Sequence, residues 1–258
     1  KSVLGSGEVM EGTDQGTGSG QQDMQGALYF QYRFTFHDGS MTTIGIQLDG
    51  QSLAYIPQRP LAPDAWTRLD FHRCMLCPLD VRSTPHCPIA LSIKDLVAEF
   101  GDRVSYEEAE VEVVTRERCY SEKTTLQRGL SSILGILMVT SGCPIMDKLR
   151  PMVRFHLPFP STLETTFRTT GTYLLGQFFL KNRGLPADFT FQGLVEIYRG
   201  VKLVNKAIAT RIRALSRKDA SVNALIMLDL FAVDVPLSIE DQIADLEPFF
   251  HPYFGGSD

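Results

Sequence analysis

The sequence predicts an α+β protein, with an antiparallel β meander in its N-terminal half and a mainly helical C-terminal half. Three observations carry that prediction. Leu28, Phe30, Tyr32, Phe34 and Phe36 alternate with Gln31, Arg33, Thr35 and His37, the period of a half-buried strand. Asp-Gly pairs at 38–39 and 49–50 supply hairpin turns between alternating segments. Beyond residue 121 the apolar residues recur at helical steps. A β-rich half followed by an α-rich half, rather than strict alternation of the two, is the α+β pattern.

The elements follow in order. Residues 1–27 read as a flexible tail, because seven glycines sit there among Ser, Thr, Gln and Asp with little to bury. Residues 255–258 are of the same kind. Strands follow at 28–37, around Ile44 to Leu48, and at Leu53 to Ile56. Pro57, Pro60 and Pro63 then mark a loop before a short strand expected from Trp66 to Phe71. Pro88 suits the first turn of a helix carrying Ile93, Leu96, Val97 and Phe100. A further strand is expected from Val111 to Tyr120, approached by Glu107, Glu108, Glu110 and Glu112, an acidic run that would protect an exposed edge.

Leu126, Leu130, Ile133, Leu134 and Leu137 define the next helix, apolar all round beyond Ile133 and hence central. Ser161 and Glu164 form a capping-box pattern opening another helix through Phe167, Leu174, Leu175 and Phe178. Leu194, Ile197, Val201, Val204, Ile208, Ile212 and Leu215 mark a long amphipathic helix. One more is expected over Val222 to Phe231, and a last one from Ser238 toward Phe249. The organisation expected is the tail, a β-rich region at 28–120, and a helical region at 121–254 packed on it as one unit.

Composition bounds the function. The 258 residues are 43% hydrophobic and 21% charged, which suits a globular chain and excludes a disordered or disulfide-packed one. A formal net charge of -5 gives no general attraction to nucleic acid or anionic membrane. No apolar run approaches the roughly 20 residues needed to span a bilayer. No charged region followed by an apolar one opens the chain as a secretory signal would. Five cysteines, an odd and clustered set, suit metal or thiol chemistry in a cytoplasmic compartment.

The cysteines give the sharpest constellation. Cys74-x2-Cys77 places two thiols on a tight loop, Cys87 follows after nine residues, and Cys143 lies beyond the central helix. Cys77, Cys87 and Cys143 each precede proline, which stiffens the backbone beside a ligand. Gly142 suits the C-terminal cap that would bring Cys143 to a helix end. The expectation is a Cys-rich metal loop, with zinc at Cys74, Cys77, Cys87 and a fourth ligand. Cys143 is preferred for that place, then His72, with His86 and Cys119 as competitors. Cys119 reads as core, since its neighbours on one side of the expected strand are apolar. An iron–sulfur cluster is the alternative cofactor, a redox dithiol a weaker one, and ordinary buried cysteines the plain alternative.

Two basic groups complete the candidates. Arg150, Arg154, His156 and Arg168 flank the expected helix start at Ser161, where free amides favour an anion. The plain alternative is a hydrogen-bonded core histidine among solvated arginines. Arg199, Lys202, Lys206, Arg213 and Arg217 form a basic stripe beside the apolar face of the long helix. A solvated face explains it, and an acidic partner is the functional alternative. Without interleaved aromatic residues the stripe does not suit nucleic acid. No P-loop, nucleophile elbow, metalloprotease helix or dinucleotide fingerprint is present.

The segments Phe71–Leu79, His86-Cys87-Pro88, Ser141–Pro144 and Arg154–Pro160 together resemble an uncharacterised bacterial family known only as a domain of unknown function. The resemblance covers about residues 28–254 and implies a bacterial origin but no activity. Two functions from different classes follow from the residues. One is a binding or scaffold module with a structural Cys-ligated metal. The other is a metal-dependent or Arg/His-based enzyme acting on an anionic small molecule.

Overall fold

The computed structural model describes residues 26–101, 103–215 and 243–254. The expectations for most of the N-terminal tail, for residues 255–258, for the Val222 to Phe231 helix, for a helix start at Ser238 and for Arg217 lie outside them.

The architecture is α+β. Strands β1 (Ala27–Phe36), β2 (Met41–Asp49), β3 (Tyr55–Ile56), β4 (Glu108–Val114) and β5 (Cys119–Thr125) form one antiparallel sheet in the order β3-β2-β1-β4-β5. The expected meander is therefore the first three strands of five. The Asp38-Gly39 pair makes the first turn, with Gly39 at φ +79° and Ser40 N–H donating to Asp38 Oδ1 at 2.8 Å. The second turn is held by Asp49 Oδ1, which accepts from Ser52 N–H at 2.7 Å.

Two expected strands differ from the observed structure. Trp66 to Phe71 does not form a strand. Residues Ala65–Thr67 make a 3-10 turn, closed where Asp64 N–H donates to Thr67 Oγ1 at 3.1 Å, and only Arg68 pairs, with His86. Pro63 and Asp64 favour that local closure over extension. The single strand expected from Val111 to Tyr120 is instead a hairpin of β4 and β5. It folds back where Thr115 N–H donates to Arg118 O at 2.9 Å, and β5 runs on to Thr125, past the expected helix start at 121. No Asp-Gly or Asn-Gly pair advertises that turn. Cys119, expected in the core, consequently sits exposed on the edge strand.

Five helices are labelled in chain order: α1 (Pro88–Phe100), α2 (Leu126–Thr140), α3 (Pro151–Arg154), α4 (Thr162–Asn182) and α5 (Gln192–Arg213). One contiguous core joins the inner face of the sheet to α1, α2 and α5, including Phe30, Tyr32, Phe34, Ile93, Phe100, Ile133 and Ile208. Helix α2 is central, as its all-round apolar sequence requires. It approaches the sheet so closely that a Cβ at Gly129 would lie 2.4 Å from Phe34 Cε1. Only glycine fits there.

Helix α4 opens on the expected capping box, with Glu164 N–H donating to Ser161 Oγ at 3.2 Å and Ser161 N–H to Glu164 Oε2 at 2.8 Å. Its buried residues are Thr166, Thr169 and Thr170, while Phe167, Leu175, Phe178 and Phe179 are exposed. Helix α5 is anchored at its start by Asp188, whose carboxylate accepts from Gly193 N–H, Thr190 N–H and Tyr173 Oη. These donors hold the Asp188 carboxyl well below the usual carboxylate range. The described C-terminal segment ends in a 3-10 turn, Glu247–Tyr253.

Candidate functional site

Two cavities flank α5, and each contains a guanidinium. The larger is about 170 Å³ and lies between α2, α3, α4 and α5. Met138, Val139, Met146, Leu149, Met152, Val153 and Val201 make most of its wall. Its polar groups are Arg128, Ser131, Ser132, His156, Thr165, Arg168, Tyr198 and Asn205.

His156 follows α3 and is fixed by the sheet. Its Nε2 lies 2.7 Å from Tyr32 Oη and 3.2 Å from Ser132 Oγ, and its ring meets Phe30 edge-on at 5.5 Å. Enclosure by these apolar neighbours pulls its pKa down to about 3, with the Arg168 charge acting in the same direction. The imidazole is therefore neutral at physiological pH. Burial also pushes the Tyr32 phenol well above its ordinary value. Arg168 donates to Met152 O at 3.1 Å, and its charge is destabilised by desolvation, with Glu164 acting only at longer range. No carboxylate lies within ion-pair distance of it among the described residues. Asn205 is 2% exposed, and neither atom of its amide group has a hydrogen-bond partner among the described residues.

Of the four residues expected to form an anion pocket, His156 and Arg168 line this cavity and Arg150 and Arg154 do not. Arg150 pairs with Asp147 and donates to Ser52 O at 3.3 Å, toward the β2–β3 turn. Arg154 is exposed and lies 3.8 Å from Glu117 in the β4–β5 turn. The reason is local: α3 is one turn long, so Arg150, Arg154 and His156 leave it in different directions. In their place the cavity has Arg128, which donates to Phe159 O at 3.1 Å, and Asn205. Arg128 Nε lies 2.9 Å from Glu122 Oε1 but off the hydrogen-bonding direction. Spacing in the sequence marks neither residue, because α2 and α5 meet only in the folded chain.

The smaller cavity, about 20 Å³, is lined by Cys74, Cys77, Cys87 and Cys143 together with Leu69, Ile145, Val204, Ile208 and Arg211. Cys77 N–H donates to Cys74 O at 3.1 Å in the tight loop, Cys87 precedes α1, and Cys143 follows the turn made by Gly142 at φ +92°. The competing ligands stand elsewhere. His86 Nδ1 meets Thr67 Oγ1 at 2.9 Å, and His72 and Cys119 are exposed. Burial pushes the Cys143 thiol up to about 11 and raises that of Cys74 as well. All five cysteines are free thiols. Among the described residues no group of three or more His, Cys, Asp or Glu side chains is gathered closely enough to hold a metal ion. The expected Cys-rich metal loop is thus a set of thiols around one cavity, without a formed ligand geometry.

Arg211 was not among the expected site residues. It belongs to the same basic run as the stripe of α5 but turns inward. It is 1% exposed and donates to Trp66 O, Arg68 O and Leu69 O at 2.9, 2.7 and 3.1 Å. Arg199, Lys202, Lys206 and Arg213 are exposed, with Arg199 paired to Glu196. No helix among the described residues is long and apolar enough to cross a membrane.

Residues 30–251 match the model of a family described as Domain of unknown function (DUF6901), and the chain belongs to that family. No curated protein and no solved structure matches the chain.

Proposed function

We propose that the protein is a small-molecule binding module whose larger cavity takes a compact, mainly apolar monoanion such as an aromatic carboxylate. One observation carries this: among the described residues, a mostly apolar cavity contains the unpartnered Asn205 amide and an Arg168 guanidinium with no carboxylate at ion-pair distance. Buried polar groups are nearly always satisfied, so the Asn205 amide, unpartnered among the described residues, beside a guanidinium bonded to a single carbonyl points to a missing partner. The volume suits a body of about benzene size, since a dry cavity of roughly 150 Å³ accepts such a ligand. Arg168 would meet the carboxylate, Asn205 would supply a donor and an acceptor, and the methionines would adapt to the apolar body.

Binding fits this site better than chemistry does. Ser132 and His156 resemble a nucleophile and its base, but Tyr32 engages the same Nε2 and no group among the described residues orients Nδ1. A histidine whose pKa is about 3 is a poor base at neutral pH. A second reading, in which a Cys-ligated structural metal braces the two halves of a scaffold, is favoured by the shared cavity of Cys74, Cys77, Cys87 and Cys143. An acidic partner at Arg199, Lys202, Lys206 and Arg213 belongs with that reading, as does a cytoplasmic location, where thiols stay reduced.

The test of the first reading is a series of melting curves with benzoate, benzyl alcohol and inorganic phosphate at matched ionic strength. The midpoint should rise with benzoate concentration in the wild type, as linkage requires, and the rise should vanish in Arg168→Met. Equal shifts with benzyl alcohol, or an undiminished benzoate shift in Arg168→Met, would reject the carboxylate site.

A further inference from the structure

We infer that Cys74, Cys77, Cys87 and Cys143 bind one zinc ion as thiolates, and that the buried guanidinium of Arg211 is the counter-charge of that anionic centre. This rests on the reading of a structural metal and adds both the ion and its charge partner. The four thiols come from three places in the chain: the 74–77 loop, the start of α1 and the segment after α2. Core packing alone gives no reason for four of the five cysteines to meet at one cavity. That cavity has room for about one water-sized particle. This suits a single ion better than the larger body of an iron–sulfur cluster.

Arg211 is the independent observation. A buried cation needs a buried anion, because removing an unpaired charge from water is costly. The hydrogen bonds of Arg211 among the described residues go to backbone carbonyls, Phe71 lies beside its guanidinium, the Asp70 carboxylate acts on it only from beyond ion-pair distance, and it lines the same cavity as the thiols. With neutral thiols its charge would be offset only by Asp70, which is exposed and already paired with Arg68. On binding, each thiol releases its proton to solvent and forms a sulfur–zinc bond. Four thiolates around a divalent cation leave a net negative centre, which the guanidinium neutralises in part. The thiols line the cavity without standing at ligand distances, so the ion draws them together. Rotation about χ1 moves a cysteine sulfur without moving the backbone.

The experiment combines elemental analysis of the purified full chain with zinc affinity measured against a chromophoric chelator. It uses the wild type, Cys77→Ser, Cys119→Ser, Arg211→Met and Arg211→Lys, with cobalt(II) as a spectroscopic stand-in for zinc. The expected result is one zinc per chain in the wild type and in Cys119→Ser, and loss of stoichiometric zinc in Cys77→Ser. Arg211→Met should weaken affinity by about 10- to 100-fold, the usual effect of removing an outer partner of a metal site, and Arg211→Lys should recover part of it. If Arg211→Met fails to fold, Arg211→Lys still tests the role through a shifted cobalt spectrum and weaker binding. Metal-free wild type of ordinary stability would overturn the metal site altogether, and brown, iron-containing protein would overturn zinc. One zinc per chain with unchanged affinity and cobalt spectrum in the Arg211 variants would overturn the charge role alone.

Discussion

Arg168 and Arg211 both face a cavity without a carboxylate at ion-pair distance among the described residues, yet their surroundings differ. Arg211 is fully buried, is held by three carbonyls and has four cysteines beside it, so the chain itself can supply the anion. Arg168 has one carbonyl, a neutral histidine and a mostly apolar wall among the described residues, and the proposed binding reading takes its anion from outside. Volume agrees with that division: about 20 Å³ on one side of α5 and about 170 Å³ on the other. A guanidinium is always charged and cannot escape burial by losing its proton at accessible pH. The partner it lacks is therefore informative about what the site is for.

Acid gives the largest effect that would separate the two regions. His156 lines the open cavity, and its folded pKa of about 3 lies below the unfolded value near 6.5. Above pH 6.5 the ring is neutral in both states and contributes no slope. Below it the unfolded chain takes up a proton that the native chain refuses. Stability then falls by about 1.4 kcal/mol per pH unit until the folded pKa is reached. Urea melts between pH 7 and pH 4 should show this slope, and His156→Gln should lose it. An unchanged slope in that variant would mean that His156 is charged in the native state or titrates elsewhere.

Much of this fold is legible in the sequence because alternation and turn residues are local properties. Phe30, Tyr32 and Phe34 announce β1 unaided, and Ser161 with Glu164 announces α4. The β4–β5 hairpin is not legible because its turn, Thr115 to Arg118, closes through a threonine side chain that also occurs in extended chain. The meeting of the four cysteines at one cavity is legible because thiols at loop spacing are rare, and Cys143 follows from the proline and glycine beside it. Arg211 and Asn205 are not. Each sits on an amphipathic helix where one step of about 100° separates solvent from interior. Arg211 reads as part of the basic stripe until α5 is docked. Arg150 and Arg154 stand near His156 in sequence but apart from it in the fold for the converse reason: proximity in sequence does not fix direction across a helix of a single turn.

Asn205 sharpens the comparison with a smaller effect of unusual sign. An unpartnered buried amide costs about 1–3 kcal/mol, whereas leucine of similar size would add apolar contact with Val201 and the methionine wall. Asn205→Leu should therefore stabilise the protein by about 1 kcal/mol while reducing its benzoate shift. Denaturant melts and the benzoate titration test both halves together. Destabilisation would show that the amide group has a native partner, such as an ordered water, and would remove one of the two observations behind the cavity assignment.

The smallest effect expected is that of Arg154→Ala, which tests whether the cavity or the local density of basic residues attracts an anion. Arg154 is near His156 in sequence but exposed, and its nearest carboxylate, on Glu117, is 3.8 Å away. Exposed pairs of this kind contribute between zero and about 1 kcal/mol, and surface substitutions usually change stability by less than about 0.5 kcal/mol. Arg154→Ala should therefore melt within that margin of the wild type and keep the full benzoate shift that Arg168→Met loses. Long-range attraction from an exposed arginine would be screened over about 8 Å at physiological salt. A shift reduced at low salt and restored at high salt would thus assign Arg154 to steering alone. A shift lost equally in both variants at every ionic strength would place Arg154 in the binding site and require α3 to turn toward the cavity when the ligand binds.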